Sequence, residues 1–186
     1  TGEELWDFST QTGVVAPPIA YEIDGEQYVS VNVGWGGAFA LVFGEYVQSE
    51  SLPNVSRVLT FKLGGKATLP TVSWTPAVVF NPPQLTASPE TLALGFATYQ
   101  DVCMGCHGLN AVSGLLIPEL RGSGYLWDEK AWESVVRGGQ LKERGMASFA
   151  ENISAEQSRA VRDYVIQQAQ RGQALQKAVG HAPVPN

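Results

Sequence analysis

The chain has 186 residues, 44% of them hydrophobic and 16% charged, with a net charge of −6 and a pI near 4.9. That length suffices for one or two domains with a real core. The acidic balance argues against a nucleic-acid partner, which needs clustered Lys and Arg, and no run of about 18 apolar residues offers a transmembrane segment.

Residues 1–71 read as a β segment of roughly five strands. Residues 4–8 form a first strand-like run. Residues 14–23 are extended, with Pro17-Pro18 confining that part to an edge or bend. Asp24-Gly25 separates Ile19/Tyr21/Ile23 from Val29/Val31/Val33. That pattern predicts a hairpin with a two-residue type I′ turn. After Gly34-Trp35-Gly36-Gly37, residues 38–43 form a short apolar run, and residues 57–63 alternate again through Leu59, Phe61 and Leu63. A sheet of this size does not bury both faces unaided, so it packs on the rest of the chain or on absent neighbours.

Residues 72–87 read as a linker stiffened by Pro76, Pro82 and Pro83. Trp74, Val78, Val79 and Phe80 make it apolar enough to lie against a surface.

An all-α domain is predicted over 88–171. Ser88-Pro89-Glu90 starts a helix whose inner face is Leu92, Gly95, Phe96, Tyr99 and Cys103. Gly95 permits close approach by another helix. The partner is the last helix, which opens on the capping box Ser154-Ala155-Glu156-Gln157 and carries the stripe Val161, Tyr164, Val165 and Ala169. Asp128 caps a third helix, with Trp132, Val135 and Val136 inward and Gly138-Gly139 at its end. Residues 172–186 read as a small, polar, Pro-rich tail.

Between the first two of these helices' cores lies Cys103-Met104-Gly105-Cys106-His107. Two cysteines three apart share one face of a helical turn, and the histidine follows at once. This is the spacing for two thioether links to a haem with His107 on the iron. A thioredoxin-like pair and half a zinc site are the competing readings. The first wants a preceding strand, and the second wants two further Cys or His nearby. Both cysteines of the chain lie in the motif, so no disulfide framework remains.

For the sixth iron position the chain offers few groups. Met104 sits between the attachment cysteines and cannot reach the far face of the ring. His181 lies in the tail. Met146, in the glycine-marked loop of residues 140–149, is the expected ligand. A His107/Met146 pair raises the reduction potential and fills both axial sites, which suits electron transfer rather than oxygen binding. Phe149 is expected on the ring edge. Haem is attached outside the cytoplasm in bacteria, so the periplasm is the expected location. The sequence opens Thr-Gly-Glu-Glu-Leu-Trp, without Met or a signal-like segment, which reads as a processed chain or a piece of a longer one.

The β segment also carries a resemblance. Thr1-Gly-Glu-Glu-Leu-Trp6 resembles the tryptophan-docking repeat of eight-bladed quinoprotein propellers. The stretches 13–29, 34–41 and 57–66 resemble the closing blade of the quinohaemoprotein alcohol dehydrogenases. The likeness extends to about residue 171, through a linker and a domain resembling class I cytochromes c. It implies an α+β chain, a remnant propeller blade followed by an all-α cytochrome domain. In class I cytochromes c a proline carbonyl accepts the proximal histidine's Nδ1–H, a role the resemblance gives to Pro118. Arg121 is expected at a haem propionate, as guanidinium partners of buried anions often are. Gly36, Gly37 and Ala38 match a quinone-facing loop. Pyrroloquinoline quinone (PQQ) and calcium belong to the full-length parent, whose catalytic carboxylate, calcium ligands and vicinal disulfide lie in earlier blades. Electrons would pass from the parent's propeller to the haem. They would then leave for a small copper protein, a soluble cytochrome c or a membrane quinone partner. A stand-alone haem subunit with a docking β module, and a sensor with an open iron site, are the alternative functions.

Overall fold

The structure, a computed structural model, describes residues 1–47, 54–72, 78–114 and 117–179; Trp74, Pro76 and His181 lie outside the described residues. Strands β1 (Ile19–Ile23), β2 (Glu26–Val33) and β3 (Arg57–Lys62) form one antiparallel sheet in the order β1-β2-β3. Asp24 and Gly25 take φ of 52° and 81°, the two positive values a type I′ turn requires, and set Ile23 opposite Glu26. Across one face, Ser30 Oγ meets Tyr21 Oη at 3.0 Å and Thr60 Oγ1 at 2.7 Å.

Two of the five expected strands do not form. Residues 4–8 pair with no strand. Instead Trp6 and Phe8 stand with their ring centroids 5.4 and 5.2 Å from that of Phe61, covering β3 by aromatic packing. Residues 38–42 are helical, within α1 (Gly37–Val42), and Phe43 caps it before the short α2 (Gly44–Val47). The reason lies in Trp35, Phe39 and Phe43, which recur every fourth residue and stack at 5.3 and 4.9 Å. That period belongs to a helix, not a strand.

The second half is helical. Helix α3 (Pro89–Val102) begins as predicted, with Ser88 Oγ accepting the Thr91 N–H. One further turn, α4 (Met104–His107), follows it. Helix α5 (Glu129–Val136) is capped by Asp128, which accepts the N–H groups of Lys130 and Ala131. Helix α6 (Ala155–Val179) opens on a reciprocal capping box: Ser154 N–H donates to Gln157 Oε1 and Gln157 N–H to Ser154 Oγ. It runs on through Gly172, beyond the expected limit at 171.

Helices α3 and α6 cross at Gly95. A Cβ there would stand 2.0 Å from the Ala160 carbonyl oxygen. The core beside the crossing holds Tyr99, Trp132, Val161, Tyr164, Val165 and Ala169, all buried. Phe96 departs from expectation: it stays 45% exposed at the edge, its ring against Tyr164.

Two seams join other parts to this helical body. Residues 78–83 of the linker lie along α6. Gln170, Gln173 and Gln176 donate their side-chain N–H groups to the carbonyls of Pro83, Phe80 and Val78 at 3.2, 2.8 and 2.7 Å. Their spacing of three places them on one helical face. On the other side, α1 and α2 abut residues 108–114. Asn110 Nδ2 donates to Glu45 Oε1 at 3.0 Å, and a Cβ on Gly44 or Gly114 would collide with the facing backbone.

Candidate functional site: the Cys103–His107 turn

The site begins where α3 ends. The N–H groups of Cys106 and His107 both donate to the Cys103 carbonyl, and Gly108 N–H donates to that of Met104. Gly108, at φ 79°, then ends the turn; a Cβ there would clash with the Val112 carbonyl. The buried Tyr99 hydroxyl donates to the Gly108 carbonyl at 2.8 Å and fixes the exit.

Neither cysteine forms a disulfide; Cys103 is buried and Cys106 exposed. Burial, and next the neighbouring Cys106, push the Cys103 thiol up to about 12, so it stays protonated. His107 is 7% exposed. Burial lowers its pKa, against the Pro118 carbonyl and then the Glu119 charge, which raise it. The influence of that carbonyl puts Pro118 beside the ring, yet buried Nδ1 completes no hydrogen bond of normal geometry. A buried neutral imidazole next to a carbonyl is suited to give Nδ1–H to that carbonyl and Nε2 to a metal.

Met146 lies half-buried in a closed loop. Gly145, at φ 92°, turns the chain before it, and Met146 N–H donates to the Leu141 carbonyl. The loop is tied to α5: Gln140 N–H donates to the Ser134 carbonyl, Phe149 N–H to that of Val136, and Ser148 Oγ to that of Arg137. Phe149 packs on the core cluster that includes Cys103. Thus Cys103 and Phe149 belong to one core cluster, and Pro118 stands beside His107. Gly36 instead caps α1 in an extended conformation, with Gly37 and Ala38 opening that helix, outside the turn.

Arg121 is buried and engaged within the protein. Its Nε and Nη2 donate to the Glu119 carboxylate at 2.8 and 2.9 Å, and its guanidinium lies 4.5 Å from the Phe80 ring centre. Sequence reasoning missed Glu119 and Ser113, and it placed Tyr99 on the inner face without its bond to the Gly108 carbonyl. The signal available was an acid two residues before Arg121 and adjacent to Pro118.

Among the described residues no three His, Cys, Asp or Glu side chains gather to hold a metal ion. Two thiols on one turn, a buried histidine beside a carbonyl, and crossed terminal helices define the class: a cytochrome c domain. Residues 90–165 match the family model for subunit III of cbb3-type cytochrome c oxidase. The chain is 41% identical over 166 residues to quinohaemoprotein alcohol dehydrogenase ADH IIB of Pseudomonas putida, covering 89% of this chain and 24% of that protein. It is 34% identical over 172 residues to the dehydrogenase subunit of a quinone-dependent alcohol dehydrogenase of Gluconobacter oxydans, covering 90% and 22%. The solved quinohaemoprotein alcohol dehydrogenase ADHIIG of Pseudomonas putida superposes with TM-score 0.65 at 36% identity, over 91% of this chain and 24% of that one. In sequence and fold, the chain corresponds to the C-terminal part of the quinohaemoprotein alcohol dehydrogenases, a last-blade segment and a cytochrome c domain. It spans about a quarter of the relatives it matches. No described helix is long and apolar enough to cross a membrane.

Proposed function

We propose that the chain carries one covalent haem c and relays single electrons from a PQQ-bearing propeller to an external acceptor. The observation that carries this reading is the buried, neutral His107 beside the Pro118 carbonyl, at the end of a turn bearing Cys103 and Cys106. Cys103 and Cys106 would form the thioethers, and His107 and Met146 the axial bonds. When bound, the haem supplies a one-electron iron couple near neutral pH. Pro118 orients the imidazole, and Phe149 excludes water from the ring edge. Arg121 would reach a propionate only through the guanidinium corner outside its pair with Glu119.

The rest of the relay belongs to the longer protein. There, PQQ and calcium in the propeller would oxidise an alcohol, and Gly36, Gly37 and Ala38 would line the quinone side. A small copper protein, a soluble cytochrome c or a membrane quinone partner would take the electron in the bacterial periplasm. Such encounters bury little area around an exposed haem edge. Met146→Ala tests the axial assignment. The variant is expected to lose the weak ferric sulfur-to-iron band at the red edge and to bind carbon monoxide when reduced. An unchanged spectrum would rule Met146 out.

A further inference from the structure

Next to Pro118 in sequence stands a buried carboxylate, Glu119, that the relay as described leaves unused, paired with Arg121. The side chains of Glu119 and Arg121 are 3% and 10% exposed. Glu119 Oε1 accepts Arg121 Nε–H at 2.8 Å and the Arg121 backbone N–H at 3.2 Å. Its Oε2 accepts Arg121 Nη2–H at 2.9 Å and the Ser113 backbone N–H at 3.2 Å. One carboxylate thus takes four donors among the described residues. The fully buried Ser113 also donates its hydroxyl to the Ile117 carbonyl. Residues 117 and 119, on either side of Pro118, are therefore both tied to Ser113. Arg121 stacks on Phe80, and Phe80 is held from α6 by Gln173 and Gln176. A continuous set of contacts runs from α6 through Phe80, Arg121 and Glu119 to the segment facing His107.

A buried ion pair is poor evidence for stability, because desolvating two charges offsets their attraction. Its location is more telling. Glu119 directly follows Pro118, the residue beside the His107 ring, and both chain neighbours of that proline are tied to Ser113.

We infer that Glu119 is a positioning residue of the haem site: it holds the Pro118 carbonyl toward His107 and, neutralised by Arg121, sets the charge beside that ring. This rests on the haem reading above. Neither partner is a ligand; both act through Pro118 and through the field at the histidine.

The test uses the haem-loaded chain and redox titration of Glu119→Gln, Arg121→Gln and the double variant. Glu119→Gln leaves the buried Arg121 guanidinium without its counter-charge in the haem site. The ferric-to-ferrous ratio at fixed poise should fall about tenfold, a rise of ~59 mV for one electron. Arg121→Gln leaves the carboxylate without its counter-charge and should shift the ratio in the opposite direction. The double variant should return toward the parent chain. A merely structural role would move both single variants the same way, and that result, or no shift in either, overturns the inference. Should Arg121→Gln fail to fold, Glu119→Asp replaces it. That variant keeps the charge, so an upward shift equal to that of Glu119→Gln overturns the charge role. A parent chain that takes up no haem would sink the haem reading instead. The pairing would then be tested by melting temperatures, with the double variant no less stable than either single one.

Discussion

Burial holds the His107 imidazole neutral in the haem-free chain, with its pKa below the ordinary value. The unfolded chain therefore binds that proton more readily than the folded one. Stability from this group is present above the unfolded histidine pKa, about 6.5, and is lost as pH falls below it. The haem-free chain should melt at progressively lower temperature between about pH 7 and pH 5, and His107→Gln should flatten that slope. Thermal scans of the chain and of His107→Gln across that range check the assignment. This histidine, the two cysteines and the expected ligand Met146 were readable as candidates because one spacing and a short supply of soft ligands single them out. Glu119 was not. Its partners include Ser113, and Arg121 binds a ring from Phe80, far off in sequence; only packing brings them together.

Among the elements, the crossing of α3 and α6 places the Cys103 turn. Its tightest point is Gly95, where a Cβ would be 2.0 Å from the Ala160 carbonyl and 3.0 Å from Tyr164 Cβ. Backbone at that distance has no rotamer by which to yield. Gly95→Ala should cost about 1–3 kcal/mol, read as a lowered urea midpoint with an unchanged slope. The elements legible in the sequence are those with chemistry at their ends. The Asp24-Gly25 turn, the Ser88 and Asp128 caps and the Ser154/Gln157 box all form as expected. The errors fall where the pattern is short. Residues 38–43 suit a strand or a helix by hydrophobicity, and the fourfold recurrence of Trp35, Phe39 and Phe43 decides for the helix. Trp6 and Phe8 are apolar because they cover Phe61, not because they join a ladder.

For the whole molecule, α+β organisation was readable from the change in periodicity near residue 88, and the apolar linker was expected to lie on a surface. The surface it meets is this chain's own α6, through three glutamines that a sequence pattern had no reason to assign to linker carbonyls. The sheet keeps Ile19, Ile23 and Val58 more than half exposed, as a blade without neighbours would. The central claim is that Cys103 and Cys106 hold haem covalently. It is tested most directly by the intact mass of the denatured chain after expression with the periplasmic haem-attachment machinery. The account predicts the polypeptide mass plus one haem, reverting to the bare polypeptide when both cysteines are replaced by alanine. A native sequence that shows only the bare polypeptide mass under those conditions would contradict it.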